Sequence, residues 1–230
     1  MAGAVAAIER MVERGGPTQL VATVNPEFVM RARSDPGFRS VLDGASLCLA
    51  DGTGVVWAMR RQGCPQRERV AGSDLVPALA AVCARRGWRP FLLGARPGVA
   101  AEAARRLEAD LPGLRVAGTH AGSPRPEDDE EALRRIRAAR PDLLLVAYGA
   151  PHQELWIARN RDRLGVPVAI GVGGCFDFLA GRVRRAPRRL QHLGLEWLWR
   201  LVLQPWRWRR MAVLPAYAVA VWRSGRSPGG

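Results

Sequence analysis

Two polar stretches of the sequence carry side chains that could take part in acid–base chemistry. Thr23 and Asn25 lie at the end of the apolar run Gln19–Val24, and Asp51 directly follows the run Ser46–Ala50. A carboxylate in such a position can act as a general base, while hydroxyl and amide groups can hold a sugar hydroxyl. The alternative is that Asp51 only caps the helix that follows it. The spacing alone leaves both interpretations of Asp51 open.

Small-residue turns follow three later apolar runs and suit the approach of a phosphate or nucleotide. They contain Gly94, Gly149 and the neighbouring pair Gly173 and Gly174. Glycine has no Cβ atom, so its backbone amide can approach an anion, and a helix that begins at such a turn adds the positive end of its dipole. Gln153 follows the second turn, where it is placed either to bind a ligand or to cap a helix.

Several cofactor-dependent classes of enzyme are excluded or disfavoured. The chain contains no lysine, which rules out Schiff-base chemistry and the P-loop of nucleoside triphosphatases. The sequences beginning Gly52-Thr53-Gly54 and Gly171-Val172-Gly173 do not complete the dinucleotide-binding pattern GxGxxG, because Trp57 and Phe176 stand where the third glycine would be. We therefore expect no organic cofactor.

The sequence also predicts no metal site. Its four cysteines form no CxxC pair, and with three histidines they show no zinc-ligand spacing. There is no D-x-D pair to bridge a metal and a diphosphate, and the acidic cluster Glu127–Glu131 is typical of a helix start. Any anionic ligand must then be neutralised by arginines and backbone amides.

An alternation of short apolar runs and helical patterns predicts how these residues are positioned. The runs predict six strands, at Gln19–Val24, Ser46–Ala50, Pro90–Leu93, Leu114–Ala117, Asp142–Ala147 and Pro167–Gly171. Helices are predicted from Ser73 to Arg86, from Pro97 to Asp110 and from Glu127 to Arg140. Continuous apolarity is typical of strands covered on both faces. We expect a Rossmann-like α/β fold with an open, mostly parallel sheet, helices on both faces, and ligands beyond the carboxyl ends of the strands.

The end of the chain differs strongly in composition from the rest. Residues 182–230 hold eleven arginines against one acid, Glu196, and five of the eight tryptophans. Such a surface suits phospholipid headgroups or nucleic acid. We expect a catalytic core over residues 1–187 and a basic, helical appendage over residues 188–230, formed by two helices or by one broken at Pro205. The apolar stretch Met211–Trp222 is too short to cross a bilayer, which needs about twenty residues.

These features lie in six longer segments that follow one another along the chain. The segments are VATVNPEFV at Val21–Val29, ADGTGVVWA at Ala50–Ala58, RVAGSDL at Arg69–Leu75, YGAPHQELW at Tyr148–Trp156, GVGGCFDFLAGRVRRAP at Gly171–Pro187 and GLEWLWRLVLQPWRWRR at Gly194–Arg210. Together they resemble the WecG/TagA/CpsF family of bacterial glycosyltransferases over nearly the whole chain. Chains of this kind usually begin with a short extra segment, whereas this sequence starts almost directly in its first helix.

The resemblance implies an inverting, metal-independent enzyme. Such an enzyme moves N-acetylmannosamine or a related sugar from a UDP-sugar donor to a polyprenyl-diphosphate-linked acceptor, in the synthesis of wall teichoic acid or another surface polysaccharide. It implies that Asp51 is the general base with Thr23 beside it, and that Arg69 and Gln153 contact the UDP-sugar. The appendage would close over the diphosphate through three arginines, Arg200, Arg207 and Arg210. The identity of the sugar stays open, as does the existence of a homo-oligomer.

The location and the competing functions follow from the same features. No export signal is visible at the N-terminus, which predicts a cytoplasmic protein. With an arginine- and tryptophan-rich appendage, we expect it to lie peripherally on the anionic inner face of the plasma membrane. Two alternatives are a nucleic-acid-binding module that uses the same surface, and a subunit interface that buries the tryptophans. The first leaves the polar strand ends unexplained, so nucleic acid is not an expected partner.

Overall fold

A computed structural model describes residues 1–64, 68–184, 186–187, 196–203, 208 and 212–224 of the chain. Within these residues, six strands form one sheet: β1 (Gln19–Val24), β2 (Leu47–Ala50), β3 (Pro90–Gly94), β4 (Gly118–His120), β5 (Leu143–Ala147) and β6 (Val168–Gly171). Their order is β2-β1-β6-β5-β3-β4, and every neighbouring pair is parallel. The predicted six-stranded α/β sheet is confirmed, and it is wholly parallel.

Helices connect the strands in the alternation that the sequence predicts. They are α1 (Ala2–Arg14), α2 (Pro26–Ser34), α3 (Pro36–Asp43), α4 (Thr53–Arg61), α5 (Gly72–Arg86), α6 (Val99–Asp110), α7 (Asp129–Ala139), α8 (His152–Leu164), α9 (Cys175–Leu179), α10 (Glu196–Leu203) and α11 (Val213–Arg223), with a 3₁₀ turn at Pro126–Asp128. The three helices predicted between strands occur with ends shifted by a few residues. No helix of the described residues is both long enough and apolar enough to cross a bilayer.

Helices cover both faces of the sheet because successive strand residues point to opposite sides. On one face, Leu144 and Val146 of β5 pack with α7 and α8. On the other face, Leu143, Leu145 and Ala147 of the same strand pack with α1, α5, α6 and α9. Both sets are buried, which explains why the strands are apolar at every position rather than at alternate ones.

Two adjacent helix starts are specified by short capping sequences. The Asn25 side chain accepts a hydrogen bond from Phe28 N at the start of α2, and Asp35 accepts one from Phe38 N at the start of α3. A proline follows each cap, where its missing N–H costs nothing. The Phe38 amide, together with Arg31, lowers the pKa of Asp35 below its ordinary value. The Asn25 cap contributes about 1 kcal/mol, and it directs the chain away from the end of β1.

The fourth strand lies later in the chain than the sequence predicts. The apolar run predicted there was Leu114–Ala117, whereas β4 is Gly118–His120. Leu114 is fully buried in the core cluster of α5 and α6. It is apolar because it anchors the loop before β4 in the core, not because it belongs to the strand. Gly118 pairs with Phe91, whose ring would collide with any Cβ at position 118. Glycine allows the short edge strand to begin at this point.

Gly94 at the end of β3 has a packing reason to be glycine. Its φ angle is +102°, and a Cβ atom there would lie 2.7 Å from the backbone carbon of Ala147 on β5. Real Cβ atoms do not approach backbone this closely, so the two strand ends would have to separate. By contrast, Gly98 has a similar φ of +81° with nothing within 4 Å of the added atom.

Gly94→Ala is therefore expected to destabilise the protein more than Gly98→Ala. Both substitutions introduce backbone strain of about 1–3 kcal/mol at positive φ, but only the first adds the collision with Ala147. Urea unfolding of the two variants measures the difference. Equal losses would show that the ends of β3 and β5 are not held at this distance.

Candidate functional site

A cleft of about 440 Å³ opens beyond the carboxyl ends of β1, β2, β5 and β6. The chain leaves β1 for α2 on one side of the sheet and leaves β6 for α9 on the other, so the connections diverge between these neighbouring strands. Ligands of open α/β sheets bind at such divergence points. The residues that line the cleft include most of the predicted site residues: Thr23, Asn25, Asp51, Arg69, Gly149, Gln153, Gly173 and Gly174.

Thr23 and Asp51 both line the cleft, because they lie at the ends of the adjacent strands β1 and β2. The strands pair in register up to Val24 and Ala50, and Asp51 N donates to Val24 O at 2.7 Å. Thr23 is buried and its hydroxyl donates to Gly171 O at 3.0 Å, so the remaining lone pairs of Thr23 Oγ1 can accept from a ligand. The Asp51 side chain is partly exposed on the same wall.

Asn25 has a structural use for one end of its amide. Its side-chain oxygen caps α2 through Phe28 N at 3.2 Å. The amide nitrogen makes no hydrogen bond to a described residue, and Asn25 lines the cleft. The amide nitrogen can therefore donate to a ligand.

Gln153 is a bridge between two glycine turns. Its side-chain oxygen accepts from Gly149 N at 3.2 Å and from Gly173 N at 2.9 Å, which joins the ends of β5 and β6. The side chain is 1% exposed although it borders the cleft. Both glycine amides therefore donate to Gln153 in this structure, and their contact with an anion stays a prediction.

Glu154 is a buried partner of Gln153 that the sequence did not reveal. It is completely buried, and its Oε1 accepts from Gln153 Nε2 at 2.7 Å. This bond fixes which end of the Gln153 amide faces the two glycines. Burial raises the pKa of Glu154 from an ordinary 4.5 to about 8. Gly171 must be glycine here, because a Cβ atom would collide with both side chains.

The raised pKa gives the protein a predictable pH dependence. The folded state keeps the Glu154 proton between pH 4.5 and about 8, whereas the unfolded chain releases it. This contribution to stability is therefore complete below pH 4.5 and is lost as the pH rises through about 8. In Glu154→Gln, an amide oxygen still accepts from Gln153, so stability should decline less between pH 5 and pH 8.5 than in the unmodified protein.

Urea unfolding across that pH range measures the effect. Glu127→Gln, at an exposed position of the 3₁₀ turn, is the matched control and should leave the pH dependence unchanged. A Glu154→Gln profile parallel to that of the unmodified protein would show that Glu154 is already ionised in the fold.

Positive potential enters the cleft from two helix starts and one arginine. The first residues of α4 (Thr53 and Gly54) and of α5 (Gly72 and Ser73) line it, so the positive ends of two helix dipoles lie at its wall. Arg69 lies between these helices in the chain, and its guanidinium is 3.8 Å from Asp74 of α5. This arrangement favours an anionic ligand.

The last described helix closes one side of the cleft. Tyr217 of α11 is 3% exposed, packs with Ala58 and Val221, and donates its hydroxyl to Gly54 O at 3.1 Å. Val213, Leu214 and Ala218 of the same helix also line the cleft. Through these contacts α11 packs against α2 and the start of α4.

Tyr217→Ala should release α11 from this position. Loss of the buried ring is expected to weaken its docking by about 3–5 kcal/mol, while the sheet and its covering helices remain folded. Hydrogen exchange of the amides of residues 213–223 should accelerate in this variant. Trp222→Ala, on the same helix but 69% exposed, is the control and should preserve protection. Equal protection in both variants would contradict the role of Tyr217.

Other predicted site residues do not meet in the cleft or fall outside the described structure. Gly94 is not among the lining residues, and its conformation is explained by its contact with β5. Arg207, Arg210 and the side chain of Arg200 lie outside the part of the chain that the structure describes. Within that part, no three His, Cys, Asp or Glu residues form a cluster that could hold a metal ion.

Comparison with known proteins identifies relatives over almost the whole length. A model of the glycosyl transferase WecG/TagA/CpsF family matches residues 1–229. A protein of Bacillus spizizenii named N-acetylglucosaminyldiphosphoundecaprenol N-acetyl-beta-D-mannosaminyltransferase is 38% identical over 207 residues, which cover 90% of this chain and 80% of the relative. A Bacillus subtilis protein of the same name is 37% identical over 202 residues, covering 88% and 78%.

Proposed function

Since the chain belongs to the WecG/TagA/CpsF glycosyltransferase family, we propose that it transfers N-acetylmannosamine or a related N-acetylhexosamine. The donor is a UDP-sugar, and the acceptor is polyprenyl-diphosphate-linked N-acetylglucosamine in surface polysaccharide or wall teichoic acid synthesis. The observation that carries the proposal is that Asp51 and Thr23, from the ends of adjacent strands, line one cleft with Arg69 and two helix starts.

The reaction is a single displacement at the anomeric carbon. Asp51 takes the proton from an acceptor hydroxyl while that oxygen forms a bond to the anomeric carbon of the donor sugar. The bond to the UDP oxygen breaks on the opposite side, and UDP leaves with the electron pair. The configuration at the anomeric carbon inverts. Thr23, whose proton is held by Gly171 O, accepts a hydrogen bond from a substrate hydroxyl and orients it towards Asp51.

The negative charge that develops on UDP needs preorganised positive groups. Arg69 and the starts of α4 and α5 are assigned this role, and the appendage adds Arg200, Arg207 and Arg210. Individual contacts of this kind contribute about 2–4 kcal/mol to a transition state. Gly149, Gly173 and Gln153 instead maintain the shape of the cleft, since their polar groups bond to one another.

The appendage connects the reaction to the membrane that holds the acceptor. Arginines near an anionic leaflet contribute about 1 kcal/mol each, and the exposed side chains of Val202, Trp208 and Trp222 suit the headgroup region. These features support our proposal that the enzyme lies peripherally on the inner face of the plasma membrane. Nucleic acid is not proposed as a partner, because the relatives carry transferase names.

Asp51→Asn should lower kcat by a factor of about 10²–10⁴, the usual contribution of a general base, with little change in the KM of the donor. UDP release from UDP-N-acetylmannosamine in the presence of a short-chain prenyl-diphosphate-GlcNAc provides the assay. Asp110→Asn, at the exposed end of α6 and outside the cleft, should behave as the unmodified enzyme. Asp51→Asn turnover at the unmodified rate would remove Asp51 from the mechanism.

Metal independence is tested in the same assay. Because arginines and helix dipoles neutralise the leaving group in this mechanism, EDTA should leave the rate unchanged. If the rate falls with EDTA and returns with Mg²⁺, the mechanism must instead include a metal ion. Other UDP-N-acetylhexosamines, tested in parallel, identify the sugar.

A further inference from the structure

A second groove of about 490 Å³ opens off the cleft. It lies between α2, α3 and α11, and the turn before α8 forms its end. Four residues line both spaces: Glu27, Phe28, Ala150 and Val213. The groove therefore adjoins the cleft that contains Asp51.

The inner wall of the groove is apolar. Phe28 and Phe38 form its base, with their rings in edge contact at 5.4 Å between centroids. Met30, Pro151 and Val213 complete the apolar wall. Hydrocarbon is favoured in such a space by about 0.8 kcal/mol for each CH₂ removed from water.

We propose that this groove binds the first isoprenyl units of the lipid acceptor. The inference rests on the proposed function, in which a sugar attached to a polyprenyl diphosphate must reach Asp51. The acceptor's sugar lies in the polar cleft while its hydrocarbon must leave it, and the groove is the apolar extension of that cleft.

The surroundings of the groove agree with a chain that continues into a bilayer. Arg31 and Arg33 lie at the exposed rim, where anionic headgroups would meet the chain. Arg31 also pairs with Asp35 at 3.0 Å. The helix that supplies Val213 presents Val219 and Trp222 outward, 51% and 69% exposed. The groove is thus flanked by a helix face suited to the headgroup boundary.

Ser34→Trp tests the proposal by filling the groove from its solvent side. Ser34 lines the groove but is exposed, and its hydroxyl bonds only to carbonyls of its own helix among the described residues. Ser40→Trp is the matched control, since Ser40 is exposed on α3 and does not line the groove. Thermal unfolding of both variants establishes that they fold as the unmodified protein does.

The measurement is kcat/KM for GlcNAc-diphosphate acceptors that carry a methyl, geranyl or farnesyl group, in detergent-free solution without vesicles. For the unmodified enzyme and Ser40→Trp, we expect kcat/KM to rise at least tenfold from methyl to farnesyl. For Ser34→Trp, the increase in kcat/KM from the methyl to the farnesyl acceptor should be threefold or less. Its kcat/KM for the methyl acceptor and its KM for the donor should equal those of the unmodified enzyme.

Two results would overturn the proposal while leaving the transferase function intact. A chain-length gain in Ser34→Trp equal to that of Ser40→Trp would show that the hydrocarbon binds elsewhere. A loss that is the same for all three acceptors would show that the tryptophan disturbs the cleft itself. If the unmodified enzyme transfers sugar to none of the acceptors from any UDP-sugar, the proposed function fails and this inference fails with it.

Discussion

The side-chain amide of Gln153 sets the distance between two glycine turns, and the shape of the cleft depends on that distance. The amide oxygen receives the N–H groups of Gly149 and Gly173, one from the end of β5 and one from the end of β6. Glu154 accepts a hydrogen bond from the amide nitrogen of Gln153, and this bond prevents the amide from flipping over. Buried polar groups are stable only when they bond in this way. A hydrogen-bonded frame, rather than apolar packing, thus forms this part of the floor.

Charge is distributed differently at the floor and at the wall. At the floor, burial favours the neutral form of Glu154, so no fixed negative charge lies beneath an anionic substrate at neutral pH. At the wall, the starts of α4 and α5 and the side chain of Arg69 contribute positive potential. The helix starts lie together at one edge of the sheet because every strand runs in the same direction.

Much of the fold and part of the site could be predicted from the sequence. Strands covered on both faces are apolar throughout, so their runs were visible, and Thr23 and Asp51 follow from their position at strand ends. Glu154 could not be found, because an acid in the first turn of a helix is usually exposed. Tyr217 was equally hidden, since its partner Gly54 is 163 residues away in the chain. The misplaced β4 shows that an apolar run can serve a loop instead of a strand.

Some residues of the cleft maintain its shape and others only border it, and this difference shows where its selectivity for sugars could be redesigned. Gln153 has little hydrogen-bonding capacity left for substrates. Substitution of Gln153 would therefore distort the two glycine turns rather than change the preference for a sugar. Trp57 on α4, together with Leu214 and Ala218 on α11, borders the cleft without belonging to that frame. Directed evolution of these three positions can vary the volume open to a sugar substituent while the underlying scaffold is preserved.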